Sequence, residues 1–162
     1  MNIAIIYHSE SGNTKKVGEI IKSGAESIDD TIVKTMSIDD IDIEFVNSAK
    51  AVIFGTPTYT GDLSHQMKNF FGNLPSDLDL NGKIGSAFAT QRYIGGGATV
   101  ALKTIIGHLL VKGMLAYSSG AGEGKPFTHF GAVCIQSGND KQRERAKIFG
   151  KRIAKKTVKL FS

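Results

Sequence analysis

Ile3-Ala4-Ile5-Ile6-Tyr7-His8-Ser9-Glu10-Ser11-Gly12-Asn13-Thr14 is the stretch that decides how this chain is read. Residues 3–7 are a short apolar run with the look of a strand. Residues 9–14 follow as a turn that opens a helix. Ser9, Ser11, Asn13 and Thr14 offer hydroxyl or amide donors, and Gly12 lets the backbone turn tightly. The start of the helix adds free N–H groups and the positive end of its dipole. This chemistry suits a phosphate monoester. The loop lacks the Gly-Lys-Ser/Thr ending of a nucleoside-triphosphate loop, and it is not a G-x-G-x-x-G fingerprint. Taken alone, a Ser/Thr-capped turn with no ligand accounts for the same residues.

Outward from that stretch, short apolar runs alternate with segments of helical period, which predicts βαβ units and a parallel sheet. A helix is expected over residues 13–24, with Val17, Ile20 and Ile21 on one face. A second strand follows over 31–36, a short helix over 41–47, and a third strand at Ala51-Val52-Ile53-Phe54. Leu63, Met67, Phe70 and Phe71 recur at helical spacing. A turn at Asn81-Gly82 leads to a fourth strand over 83–90 and an apolar helix over 99–111. A fifth strand starts at 114–117, gives way to a glycine-containing loop over 120–131, and resumes at 131–135. The last helix spans 141–160, with Ala146, Phe149, Ile153 and Ala154 inward. Five strands and about five helices read as a single domain, 1–162, with no repeat and no linker. Doubly wound sheets of this kind place a ligand crevice at the carboxyl ends of their strands.

Two further loops end strands on that edge. Gly55-Thr56-Pro57-Thr58-Tyr59-Thr60-Gly61-Asp62 follows the third strand, and its aromatic can stack on a planar ring. Thr90-Gln91-Arg92-Tyr93-Ile94-Gly95-Gly96-Gly97 follows the fourth, and its glycines let backbone approach a ligand closely. Each loop also has a plain reading as turn chemistry or a lid. Three ligand-shaped loops on one sheet edge favour the binding site.

Composition narrows the class. The chain has 162 residues, 41% hydrophobic, and one cysteine. An internal disulfide is excluded, and Cys134 in its apolar run reads as a buried small hydrophobe rather than a reactive thiol. No run approaches the ~20 apolar residues of a membrane span, and no leader-like segment is visible, so the cytoplasm is the expected location. The net charge is +5. Residues 139–162 carry +7 of it and the remainder −2. That helix reads as a solvated face, or as a patch that steers an acidic partner; without interleaved aromatics it does not suit nucleic acid. His65 and His108 read as structural, His8 as pointing away from the loop, and no group of residues has metal-ligand spacing.

Ser9-x-Ser11-Gly12-Asn13-Thr14 resembles the phosphate loop of the flavodoxin family. Gly55-Thr56-Pro57-Thr58-Tyr59, Gln66-Met67-Lys68-Asn69-Phe70, Gly82-Lys83-Ile84-Gly85-Ser86-Ala87-Phe88, Lys112-Gly113-Met114 and the last helix look like its WrbA-like NAD(P)H:quinone oxidoreductase branch. The resemblance implies a flavodoxin-like three-layer α/β sandwich, a five-stranded parallel sheet of order 2-1-3-4-5, and noncovalent FMN. It implies that Ser9, Ser11, Gly12, Asn13 and Thr14 hold the phosphate, and that Thr56, Pro57 and Thr58 meet the ribityl chain and ring edge. Tyr59 would flank the isoalloxazine, with Thr90, Gln91, Arg92, Tyr93, Gly95 and Gly96 on the other side. Gly61, before Asp62, stands where the family turns a peptide toward flavin N5, and His129 is a further candidate for the acceptor side. No catalytic side chain is implied, because the chemistry is the cofactor's.

The function so implied is an FMN oxidoreductase passing electrons from NAD(P)H to a quinone or similar acceptor. The alternative is a one-electron carrier between redox partner proteins. A third reading is a binding module with an altered pocket. A receiver domain is excluded, because His8-Ser9-Glu10 and Gly55-Thr56 stand where it needs acids. The chain departs from the WrbA-like branch in lacking most of the insertion between the second and third strands, and in having Val111-Lys112 where that branch commonly has a His pair. Its basic charge departs from electron-carrier flavodoxins. A homo-oligomer is allowed for, and neither nucleic acid nor membrane is an expected partner.

Overall fold

A computed structural model describes residues 1–162. In chain order the elements are β1 (Asn2–Tyr7), α1 (Asn13–Ala25), β2 (Ile32–Ser37), α2 (Ile43–Ser48), β3 (Ala51–Tyr59), β4 (Asp62–Leu63), α3 (His65–Gly72), β5 (Ile84–Gln91), α4 (Ala98–Val111), β6 (Leu115–Ala116), β7 (Ala132–Ile135) and α5 (Asp140–Phe161). The sheet order is β2-β1-β3-β5-β6, all parallel, with β7 also on β5 and β4 antiparallel on β3.

The strand count is seven rather than the expected five, and the register explains the difference. β6 pairs with the beginning of β5 (Ile84↔Leu115). β7 pairs with its end (Phe88↔Ala132 to Gln91↔Ile135). They are two halves of one fifth strand, interrupted by residues 117–131, so the order 2-1-3-4-5 is present. β4 is the other addition. Thr60 and Gly61 both have positive φ, as a two-residue type I′ hairpin requires, and Tyr59 pairs with Asp62 across it. β3 therefore runs on to Tyr59, and residues 56–59 are strand rather than loop.

Side chains alternate along each strand and fill two layers. Ala4, Ile6, Val52 and Phe54 face α2, α3 and α4, packing on Met67, Phe71, Leu102 and Ile105. Ile3, Ile5, Ile53 and Phe88 face α1 and α5, packing on Val17, Ile21, Phe149 and Ile153. α1 and α5 touch backbone to backbone: a Cβ on Gly150 would lie 2.0 Å from the Ile21 carbonyl oxygen.

Helix starts divide into two kinds. α2, α3 and α5 are capped by the side chains of Asp42, Ser64 and Asn139, the last in a full capping box with Gln142. α1 and α4 begin instead at Gly12 and Gly97, with no capping side chain. Both glycines sit at the carboxyl edge of the sheet. No helix is long and apolar enough to cross a membrane.

Candidate functional site

The carboxyl edge opens into a cleft of about 750 Å³. Its wall brings together the three predicted loops: Ser11, Asn13 and Thr14 from the first, Pro57 to Gly61 from the second, Thr90 to Tyr93 and Gly96 from the third.

The first wall is a cradle of unpaired donors. Lys15 N–H donates to Ser9 Oγ (3.2 Å), and Lys16 N–H to the Gly12 carbonyl (3.0 Å). The N–H groups of Ser11, Gly12, Asn13 and Thr14 have no acceptor within the chain. Gly12 has φ +89° and open space around its Cβ position. Successive free amides at a helix start attract an anion. Thr14 is 1% exposed, and its hydroxyl meets that of Thr90 at 2.8 Å, tying the first loop to the third.

The second wall is the end of β3 and its hairpin. Thr58 Oγ1 is buried and has no partner. Tyr59 is half-buried, and burial together with the nearby Glu10 carboxylate raises its phenol pKa. His8 stands edge-on to the Tyr59 ring at 6.2 Å. On the third wall, Gln91 Oε1 accepts from Ala98 N–H (3.1 Å) and so closes part of the uncapped start of α4. Tyr93 is 64% exposed, and Arg92 is the only cation in the wall. Gly97 is pressed against the hairpin, since a Cβ there would lie 2.5 Å from the Gly61 carbonyl oxygen.

Several predicted residues stand elsewhere. Ser9 is outside the lining, and its Oγ accepts from Lys15 N–H (3.2 Å) in the first turn of α1. Thr56 is fully buried; its hydroxyl donates to the Pro57 carbonyl (2.8 Å) and accepts from Ser64 N–H (3.1 Å). Gly95 is exposed at the loop tip outside the lining. His129 is not in the cleft wall; its ring lies 6.0 Å from Phe127 in the 117–131 loop, and Ser118 donates to its carbonyl. Arg152 of α5 gathers the carbonyls of residues 123–126 of that loop.

Glu10, Thr60 and Gln136 line the cleft and were not among the predicted residues. Gln136 ends the fifth strand, so the rule that found the other loops applies to it. Glu10 has no such signal. Its carboxylate accepts from Gln66 Nε2 (2.9 Å) on α3 and lies 3.8 Å from His8 Nε2. His8 Nδ1 is 2.9 Å from Ser64 Oγ, the N-cap of α3. Burial holds the His8 pKa below the ordinary imidazole value, against the pull of Glu10 and Asp39. His108 is structural as expected, stacked on Phe71 at 4.7 Å. Cys134 is fully buried, and that burial pushes its thiol pKa up to about 11, as for a structural cysteine.

With that geometry in place, the flavodoxin family model matches residues 5–126. The chain belongs to the flavodoxin family. It is 44% identical over 161 residues to a flavodoxin of Clostridium saccharobutylicum, across 99% of this chain and 100% of that protein. It is 27% identical over 187 residues to an NAD(P)H dehydrogenase (quinone) of Archaeoglobus fulgidus, covering 98% of each. The flavodoxin, WrbA-like protein from Agrobacterium tumefaciens superposes with a TM-score of 0.78 at 24% identity, over 98% of both chains, which establishes the fold. Flavodoxins bind FMN, and this flavodoxin-family cleft fits that group. The free amides of residues 11–14 match a phosphate, the orphaned Thr58 hydroxyl needs a partner, and two tyrosines stand at the open end.

Proposed function

We propose that this chain is an FMN-dependent one-electron carrier between redox proteins, with residues 1–162 acting as one domain. The observation that carries the reading is the full-length 44% identity to a flavodoxin, whereas the NAD(P)H dehydrogenase (quinone) relatives stand at 24–28%. FMN, when bound, supplies the redox chemistry, and the chain supplies position and surroundings.

Ser11, Gly12, Asn13 and Thr14 hold the phosphate through their amides and side chains. Ser9 fixes the first turn of α1 so that those amides converge. Thr58 and Pro57 face the sugar-like chain, and Thr56 acts one step back by holding Ser64. Tyr59 and Tyr93 flank the ring, with Thr90, Gln91, Arg92 and Gly96 closing the far side and Gly95 shaping the loop tip. Gly61 presents its peptide at the hairpin, braced by Gly97. No side chain need move a proton for this role, and His129 takes no part in it.

A second reading, transfer from NAD(P)H to a quinone, is favoured by the distant relatives and by the exposed Arg92 beside the cleft. Steady-state oxidation of NADPH or NADH with benzoquinone separates the two. A carrier loaded with FMN turns over no faster than free FMN. Sustained turnover above that background would replace the first reading with the second.

A further inference from the structure

The face made by α1 and α5 has a feature the flavin cleft does not use. Arg143, Lys147, Lys151, Lys155 and Lys159 stand four residues apart, and all five are exposed. That spacing places them on one ridge of the helix, ~24 Å long at ~1.5 Å per residue, which turns by ~40° at each step, so Arg143 to Lys155 share about a third of the circumference and Lys159 stands further round. None is in an ion pair; the three pairs in the molecule are His8–Glu10, Lys22–Glu26 and Lys34–Asp42. Other cations of α5 are engaged within the fold: Arg152 on the loop carbonyls and Lys156 5.0 Å over the Tyr117 ring. Within the row Arg143 donates to the Ser137 carbonyl (3.1 Å) and hydroxyl (3.2 Å), whereas the four lysine side chains have no hydrogen-bond or ion-pair partner; like charges four residues apart repel on a helix.

The row meets the flavin site at its N-terminal end. Arg143, Lys15, Lys16, Ser137 and Gly12 line a groove of about 670 Å³ together with Ile20 and Glu19, whose carboxylate accepts from the Thr35 hydroxyl (2.6 Å). Gly12 belongs to the loop whose next residues line the cleft, and Ser137 follows Gln136, which lines it too. Residues 26–44 hold seven carboxylates and one lysine, so charge is unevenly spread along the chain. An exposed basic ridge of this kind attracts and orients an approaching acidic protein before contact.

We propose that the α1–α5 face docks an acidic redox protein, whose carboxylates lie along the Arg143–Lys155 ridge and whose redox centre is brought to the groove beside residues 12–16. This rests on the electron-carrier reading. A nucleic acid is disfavoured because no exposed aromatic interleaves with the row, and stacking is absent with it. An anionic membrane is disfavoured because Leu160 is the only exposed large apolar side chain on these two helices.

The test uses a plant-type [2Fe–2S] ferredoxin of strongly negative net charge as the probe. The 15N-labelled, FMN-loaded protein is titrated with it at ~20 mM and ~300 mM NaCl, and compared with the triple variant Lys147→Glu, Lys151→Glu, Lys155→Glu. The expected result is a set of amide shifts on α5 and residues 12–16, lost at high salt, with the triple variant binding at least about tenfold more weakly. Reduction of the flavin by the reduced ferredoxin should slow by a similar factor, while photoreduction without a partner protein is unchanged. Shifts confined to residues 93–130, or equal affinity of the triple variant, would overturn the proposal. So would a row that prefers a DNA duplex, anionic vesicles or a second copy of this chain. Loss of FMN binding or of photoreduction in the native protein would instead count against the carrier reading, and the shift map reports docking independently of it.

Discussion

Thr14 is held in two ways at once. Its hydroxyl meets Thr90, and its amide is one of four left without an acceptor. Replacing it with valine keeps the shape and removes the hydroxyl. Hydrogen bonds to charged groups contribute ~1.5–3 kcal/mol, so Thr14→Val should weaken FMN binding roughly 10- to 150-fold, read by quenching of flavin fluorescence. Affinity unchanged within twofold would remove Thr14 from the phosphate site. His8 gives a pH prediction. Burial lowers its pKa in the fold, while the unfolded imidazole titrates near ~6.5. Below that pH the unfolded chain takes up a proton that the folded chain refuses. The stability tied to neutral His8 is therefore complete above ~6.5 and is lost as pH falls toward the lowered value. His108 shifts in the same direction. The urea midpoint should fall from pH 8 to pH 5.5, and His8→Asn with His108→Asn should make that fall smaller. An equal fall in the double variant would assign it to other groups. At this scale the sequence was readable where backbone chemistry decides, as in residues 9–14. It was not readable where a side chain's direction depends on a distant element. Glu10 turns to Gln66, 56 positions away, and Thr56 turns inward to Ser64.

Elements follow the apolar periodicity closely, and the two departures have local causes. β4 has two residues, too few for any period to show, and Thr60 is a β-branched residue at φ +50° where a type I′ turn favours Asn, Asp or Gly, so the turn carries no hairpin signal in the sequence. β6 and β7 are halves of one strand because residues 117–131, anchored by Arg152, occupy the gap. The contact between α1 and α5 gives a prediction whose sign is opposite to helix propensity. Gly→Ala inside a helix ordinarily gains up to ~1 kcal/mol. At Gly150 the new Cβ would sit 2.0 Å from the Ile21 carbonyl, so the helices must part. Gly150→Ala should lower stability by ~1–3 kcal/mol, the range of overpacked sites, measured by urea unfolding. A gain would show that the helices separate without cost. Gly97→Ala combines a crowded Cβ with a left-handed backbone at φ +102°, and should cost at least ~1–2 kcal/mol from conformation alone.

The whole molecule is asymmetric in charge, a property legible in the sequence as the +7 of residues 139–162; the four-residue spacing of five of those cations puts them on one ridge of α5, and the fold shows that all five are exposed. Their repulsion is an exposed, screenable effect. Raising NaCl should therefore raise the melting temperature. Lys151→Glu, which places a carboxylate between Lys147 and Lys155, should stabilise the isolated protein by ~0.5–1 kcal/mol. A destabilised variant would mean that the row is not repulsive. The account as a whole rests on the carboxyl-edge cleft being an FMN site tuned for single electrons. An anaerobic potentiometric titration of the FMN-loaded protein, followed by visible absorption, tests that most directly. Two resolved one-electron steps are predicted. A colourless protein that leaves added FMN unbound, or a single two-electron step, would contradict it.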